Sequence, residues 1–529
     1  MSVSNTSATP GFDMATMAIM GDTDFGLDPV TGATSDVFYG LVAVDQEGWV
    51  VWYYHMLALE SWDFVPGSYD IVLQAENSGN LFGDPEMSGQ AWKGVTPQPD
   101  NLGRDRHWLG NSQMQWISPL GELRQRYLQA CSGRPLNYNQ ISHECRADGS
   151  SGEVLTTMYD VRHFADVWAG TISATGVSWA QYDSVVGQSI VRWDPVANKI
   201  DVVYDMFDFA SPDVDIFESA AWTSTDLACS GPDTVEALDY HHVSSVSVSA
   251  TTGDYIVASR NLDTVWCLAR DGSGAVWTLS SSMPWRSDYA FERPLDMFFQ
   301  PHSVLQLDGG DLLVVDDGAQ RPGCRGSSNG TTDGAGCWSR VAQYNLGADM
   351  IARVVWQFEF PYSLDTSSIK TVEERDLFNA VGGSVYQLSN GNFLIGFTSV
   401  SDNRKYDPAA TSYAFEIAVS QNAEADDAAA ASADDALAAS AAASNATAAN
   451  ASASALDNAT AASNATAGYA AASNATASNA TAATSAVTIV AEMLIPTPIV
   501  NVDRQNGYRF VPWRTINGER PSKPAVPSR

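Results

Sequence analysis

Residues 296–321 read DMFFQPHSVLQLDGGDLLVVDDGAQR. His302 opens an apolar run, SVLQL, that meets an Asp-Gly-Gly-Asp turn at 308–311, and a second run, LLVV, leads on to Asp316, Asp317, Gly318 and Arg321. Two short apolar runs joined by a glycine-rich acidic turn read as a β-hairpin. The phrase recurs from His242 (HVSSVSVSATTGDYIVASR), from His143 (HECRADGSSGEVLTTMY) and, without a histidine, at Gly383 (GSVYQLSNGNFLIGF).

A second phrase alternates with it: a strand, a polar or glycine turn, then a strand often rich in Val and Trp. It stands at LVAVDQEGWVVWYY (41–54), MQWISPLGELRQRYL (114–128), IVRWDPVANKIDVVYDM (190–206), TVWCLARDGSGAVWTL (264–279) and VAQYNLGADMIARVVWQFEF (341–360). Together the two phrases give four strands per unit. Five units are clear, and FEIAV (415–419) paired with AVTIVAEMLIP (486–496) completes a sixth. Repeated four-stranded units predict an all-β fold, a six-bladed β-propeller, in which ring closure hides the sheet edges. A two-sheet sandwich needs fewer strands.

The expected organisation is a flexible N-terminal arm over 1–36, blades one to five and the start of blade six over 37–419, and the end of the propeller over 486–513. A loose tail follows over 514–529. Between the halves of the last hairpin, 420–485 is almost entirely Ala, Ser, Asn, Thr and Asp. Such a tract has too little apolar surface to offset the entropy of ordering, which predicts a disordered insertion. It carries six Asn-X-Ser/Thr sequons from Asn445 to Asn479, with two more at Asn5 and Asn329. Used sequons imply a secreted glycoprotein, although no signal peptide is visible ahead of Lys93, the first Lys or Arg.

Lys and Arg number 28 against 62 Asp and Glu, a net charge of −34. That balance excludes nucleic acid and anionic membrane as natural partners, and no apolar run is long enough to span a bilayer. An anionic substrate must therefore be drawn by a local cluster of Arg and His. The six cysteines show no CxxC pair, which argues against structural zinc. Cys324 and Cys337 flank a Gly/Ser-rich loop that a disulfide would staple; the alternative is that all six are buried thiols.

Rotation about a propeller axis turns one repeat position into a ring. By phrase alignment His143, His242 and His302 share such a position, in a chain with seven histidines. Arg260 ends the strand pair begun at His242, and Arg321 follows the pair begun at His302. Guanidinium forks suit tetrahedral oxyanions, and a neutral imidazole is a competent nucleophile, so the cluster reads as a site for a phosphate or sulfate ester. The rival is a three-histidine metal site, against which the neighbouring arginine stands as a repelling charge.

With these residues in place, the chain resembles the aryl sulfotransferase family, which moves sulfate between phenols without 3′-phosphoadenylyl sulfate. The resemblance runs from about Val37 to Pro512 apart from the insertion, and rests on DYHHVSSV…ASR (239–260), QPHSVLQLDGGDLLVVDDG (300–318) and SRVAQYNL (339–346). It implies a central-funnel site with His302 as the nucleophile that becomes sulfated. His242, Arg260 and His143 would bind sulfuryl oxygens and assist proton transfer, with Arg260, His143, Ser244 and Arg321 as the substrate-binding set. The implied cycle is ping-pong, with small aryl sulfates and phenols as partners and with no cofactor and no metal. Oligomeric state stays open, a homodimer included.

Two departures stand out. Ser244 replaces the family's usual Asn two residues after His242, and Asp316-Asp317-Gly318 replaces a common Asp-Asn-Gly, placing negative charge close to an anion site. The alternatives to a transferase are an extracellular glycosylated binding propeller without turnover and an aryl sulfate hydrolase. The flanking acids Glu144 and Asp239 are expected to orient histidines or to lie on surface turns, the second being favoured for Glu144.

Overall fold

The computed structural model describes residues 2–5, 15–19, 40–44, 50–55, 59–65, 70–75, 112–129, 141–148, 151–173, 176–212, 224–227, 235–319, 321, 338–360, 377–379, 382–388, 391–402, 411–420, 486–496 and 510–512. The sequon-rich tract, Asn329, the Cys324–Cys337 pair and the C-terminal tail lie outside them. By compactness the chain divides into Met1–Ala418 with Thr488–Arg529, which carries the sheets, and Val419–Val487, of which only the strand ends are described.

The described strands form six sheets, and the fold is an all-β propeller. One sheet holds Val243–Val248, Tyr255–Ser259, Thr264–Leu268 and Ala275–Ser280 in chain order; the next is centred on Pro301–Gln306, Leu312–Asp316, Arg340–Leu346 and Ile351–Glu359. Before them come the sheets of Leu59–Phe64 through Leu123–Gln129 and of Ile141–Ala147 through Val235–Asp239. After them, Ser384–Gln387, Phe393–Asp402, Thr411–Ser420 and Ala486–Pro496 share a sheet, so the two halves expected of the last hairpin lie in one sheet. These five blades are built mainly from successive strands, although Val235–Asp239 adds in parallel to Gly176–Asp194 in the second and Ser2–Asn5 joins the last. The sixth sheet is composite: Phe510–Pro512 pairs with Ala15–Ile19, which pairs with Gly40–Val44 and on to Val50–His55. The expected six equivalent blades are thus corrected to five of one build plus this sheet drawn from both ends of the chain. The N-terminal segment is not only an arm either, since Ser2–Asn5 pairs with Ala486–Pro496 and Ala15–Ile19 with Gly40–Val44.

The inner strands follow one another around the ring. Leu59–Phe64 packs on Ile141–Ala147, that strand on Val243–Val248, then Pro301–Gln306, then Ser384–Gln387. Ser384–Gln387 meets Phe510–Pro512, and Ala15–Ile19 returns to Leu59–Phe64.

Period-two alternation explains why blade strands read as unbroken apolar runs. In Tyr255–Ser259, Tyr255 and Val257 join a core with Val246, Trp266 and Leu155 of the preceding blade. Ile256 and Ala258 face the other way, into a core with Phe298, Val304 and Val314 of the following blade. Both faces of the sheet are covered, so both sets of side chains must be apolar, and each large aliphatic side chain so buried contributes about 1.5–3 kcal/mol.

One polar lock sits within this packing. Asp316, wholly buried, receives Arg321 and Arg340 on Oδ2 and the Phe299 amide on Oδ1 at 2.9 Å. Arg340 also donates to the carbonyls of Asp296 and Met297, at 3.1 and 2.9 Å, and Arg321 lies 3.7 Å over the Trp338 ring. The carboxylate thus ties the segment 296–300 to the end of Leu312–Asp316. Gly318 completes the turn at φ +73°, where a Cβ would stand 2.0 Å from the Trp338 carbonyl oxygen, so no other residue fits.

Removing one member of a buried charge cluster strands the others, at a cost of about 3–5 kcal/mol. Asp316→Ala is expected to lower the unfolding free energy by that order in urea denaturation, whereas Arg353→Ala, which breaks exposed pairs with Glu292 and Asp349, leaves the midpoint near that of the wild type.

Candidate active site

The signature residues gather where inner strands begin, and their pairing register decides which are equivalent. Val243 pairs with Ser259 and Val246 with Val257 across a bulge; Pro301 pairs with Asp316 and Val304 with Val314 across a matching one. Superposing the two registers puts Val243 on Pro301, Ser244 on His302 and His242 on Gln300. In the preceding blade Ser142 pairs with Thr157 and the bulge follows at once, so His143 corresponds to His302. The expectation of one shared position is corrected: His143 and His302 share it, and His242 stands two residues earlier. A bulge accommodates an extra residue without any change in composition, so phrase alignment alone does not see it.

His302 is buried, and its Nδ1 lies 2.9 Å from the Gly383 carbonyl at the start of the next inner strand. A carbonyl only accepts, so Nδ1 carries the proton, and in the neutral ring the lone pair is on Nε2. Gly383, at the repeat copy lacking a histidine, has φ +114°, and a Cβ there would come within 2.8 Å of the Gly396 carbonyl oxygen and 3.1 Å of Val315. That copy has no room for a side chain.

His242 takes a left-handed conformation, φ +44°, and its Nδ1 pairs with Asp239 Oδ2. Asp239 orients the ring as expected. The adjoining His241 has a separate role: buried against Phe207 and Tyr240, with Nε2 3.0 Å from the Ala210 carbonyl, it is lowered by burial to about 4 and stays neutral.

Arg260 binds back to the His242 carbonyl through its amide (2.9 Å), and its Nη2 donates to Gln300 Oε1 at 2.9 Å. Gln300 is itself left-handed, φ +55°, with its amide held at 2.6 Å by Oδ1 of Asp263, which is left-handed as well at φ +46°. Three of the five described non-glycine residues at positive φ thus stand in this one contact chain. Such conformations cost about 1–3 kcal/mol each and concentrate at functional sites. Burial pushes the Asp263 carboxyl up to about 7; the Gln300 amide opposes the rise, Asp316 adds to it, and Arg260 and Arg321 oppose it.

Asp317 occupies, in its blade, the register position of Arg260. Its Oδ1 accepts from Asn379 Nδ2 at 2.8 Å, and Asn379 also donates to the Gly382 carbonyl beside Gly383. Burial pushes Asp317 well above the ordinary carboxylate range, with Arg260 opposing and Asp316 reinforcing. The negative charge expected of the Asp-Asp-Gly sequence is thus opposed by burial.

Other expected residues are placed elsewhere. The Ser244 hydroxyl donates to the Pro301 carbonyl at 2.7 Å, a stitch between blades. Arg321 is spent on Asp316 and the Met297 carbonyl, so neither meets the Arg260 chain directly. His143 lies in Ile141–Ala147, and its side chain is outside the described residues. Glu144 is not on a surface turn: it is wholly buried, accepting from Ser61 at 3.3 Å and the Val246 amide at 3.4 Å. Gln300 and Asp263 were missed in the sequence; the available signal was the position of Gln300 one residue before the proline that aligns with Val243. The two described cysteines, Cys145 and Cys267, are buried thiols, and burial pushes Cys267 up to about 12. Among the described residues no three His, Cys, Asp or Glu side chains cluster as a metal site requires, and no helix is long and apolar enough to cross a membrane.

The arylsulfotransferase (ASST) family model matches residues 134–428. The chain belongs to the arylsulfotransferase family. That span holds every histidine and arginine described above, and membership carries aryl sulfotransfer on small aromatic molecules as the activity. No curated protein sequence matches the chain. Among solved structures, a protein of unknown function from Bacteroides caccae is 10% identical, with 77% of this chain and 90% of that one covered and a TM-score of 0.35. Virginiamycin B lyase from Staphylococcus aureus is 11% identical (74% and 94% covered, TM-score 0.28), and a selenium-binding protein from Sulfolobus tokodaii 8% (78% and 88%, TM-score 0.32). Likenesses this remote say nothing about the substrate of this chain.

The elevated Asp263 fixes the sign of a pH effect. Between the unfolded value of 3.8 and about 7 the folded state holds the extra proton, so its stabilising contribution is complete below 3.8 and is lost as pH rises through 7. Asp263→Asn keeps an acceptor for the Gln300 amide, tolerates the left-handed backbone and does not ionise. Thermal melts at pH 5 and pH 8 should therefore show a smaller loss of Tm in the variant, which melts above wild type at pH 8.

Proposed function

We propose that the protein is an aryl sulfotransferase that works by a ping-pong cycle through a sulfo-histidine at His302, without a nucleotide donor. The observation that carries this reading is the Gly383 carbonyl on His302 Nδ1, 2.9 Å away. It holds the ring in the tautomer whose Nε2 lone pair can attack.

In the first half-reaction Nε2 forms a bond to sulfur as the bond from sulfur to the aryl oxygen breaks, and the phenol leaves with a proton. His242, aligned by Asp239, is the group suited to supply that proton. In the second half-reaction an acceptor phenol gives its proton back to His242 while its oxygen attacks sulfur, and the N–S bond breaks with its electron pair returning to Nε2. Arg260, partly exposed beside Gln300, supplies the fixed positive charge for the sulfuryl oxygens, where a preorganised donor acts most strongly on the transition state. His143, equivalent to His302 by register, is assigned to the same anion site by family resemblance.

Purified protein incubated with 4-nitrophenyl sulfate is expected to release nitrophenol faster when a second phenol is added, and His302→Ala to lower kcat by about 10⁴-fold or more, as loss of a nucleophile does. Release independent of the acceptor identifies a hydrolase. Absence of release from the wild type with several donors overturns the reading in favour of a binding propeller.

A further inference from the structure

The steps above give Gln300 no part, yet its setting is not that of a structural glutamine. It is 1% exposed. Its Nε2 amide meets no partner among the described residues, although it carries two N–H donors. Its backbone is left-handed, a conformation unfavourable for a long unbranched side chain, and is held there by the Asp263 carboxyl on its amide. The side chain is oriented without ambiguity. Arg260 can only donate, so the atom 2.9 Å from its Nη2 is the amide oxygen, and the nitrogen points away from Arg260. Register makes Gln300 the counterpart of His242 in the neighbouring blade, both left-handed and each one residue before its inner strand. Two residues on stands His302.

We propose that Gln300 is a substrate-binding residue of this site, donating its Nε2 hydrogen bond to a sulfuryl oxygen of the aryl sulfate while Arg260 holds the amide by its oxygen. The proposal rests on the sulfotransfer reading. A sulfate ester presents three terminal oxygens that only accept, so a buried donor with no partner among the described residues matches the chemistry of the group that must dock there. A neutral amide also binds those oxygens without adding charge, so it holds the sulfuryl group in ester, transition state and sulfo-histidine alike. Arg260 then acts on the substrate twice, directly and through the polarised amide.

The test uses the full chain with three substitutions. Gln300→Glu keeps the oxygen facing Arg260 but removes the N–H donors; Gln300→Met keeps the length and removes all polarity; Gln300→Asn suits the left-handed backbone and falls one methylene short. Thermal melts establish that each variant is folded. Turnover of 4-nitrophenyl sulfate with added phenol gives kcat and KM, and calorimetric titration with inorganic sulfate reports the anion site without chemistry.

Folded variants are expected to lose about 10²-fold in kcat/KM, the usual effect of deleting one preorganised donor, and to bind sulfate at least tenfold more weakly with little change in Tm. A merely structural role would move Tm and leave sulfate affinity alone. If any folded variant retains wild-type kcat/KM and sulfate affinity, the proposal is overturned. If the wild type itself transfers no sulfuryl group, the sulfotransfer reading fails first and the role of Gln300 falls with it, a result told apart by the wild-type control.

Discussion

The geometry of the site depends on the buried carboxylate of Asp316. A lone carboxylate in an apolar interior would be untenable, and two guanidinium groups and a backbone amide converge on it. Those partners come from three different stretches: Phe299 ahead of the inner strand, Arg321 after its hairpin partner, and Arg340 on the next strand out. Satisfying one charge therefore fixes the path of 296–300, and that path delivers Gln300 and His302. Of the two arginines that sequence reasoning placed on the substrate, Arg321 is the one consumed here. In the preceding blade Ser259 occupies the register position that Asp316 takes here.

Most of the architecture was legible because a propeller writes itself in short range. The Asp-Gly-Gly-Asp turn closes as read, with the Leu307 amide on the Asp311 carbonyl at 2.8 Å, and apolar runs between such turns can only be strands covered on both faces. What could not be read was register. His241 and His242 are adjacent and chemically identical in sequence, yet one is a buried neutral ring and the other is aimed by Asp239. Alignment by residue identity slid His242 onto His302, since histidine matched histidine and the bulges left no trace in composition. The roles at the N-terminus were also hidden, because Ser2–Asn5 and one edge of Ala15–Ile19 pair with strands nearly five hundred residues away.

Residues that break a local rule mark the site better than residues of a catalytic type. Glutamine and aspartate at positive φ carry no functional signature on their own, and Gln300 and Asp263 were passed over for that reason. In the structure the two hold each other in place, side chain to backbone, and connect directly to Arg260. A pattern search for histidine and arginine finds groups that could act. Strain and unsatisfied donors find the groups that have been positioned to act.

A chain with a net charge of −34 faces a particular difficulty in receiving a sulfate ester. Long-range repulsion between exposed charges is screened within about a Debye length, roughly 8 Å at physiological ionic strength, so the decisive charges are those within the site. There the protein has two acids close to Arg260, and it buries both. Burial raises Asp317 well above and Asp263 to about 7, more strongly than Arg260 can pull them down. The same desolvation thus makes both aspartates costly to ionise beside Arg260, including the one that stands where the family often has Asn.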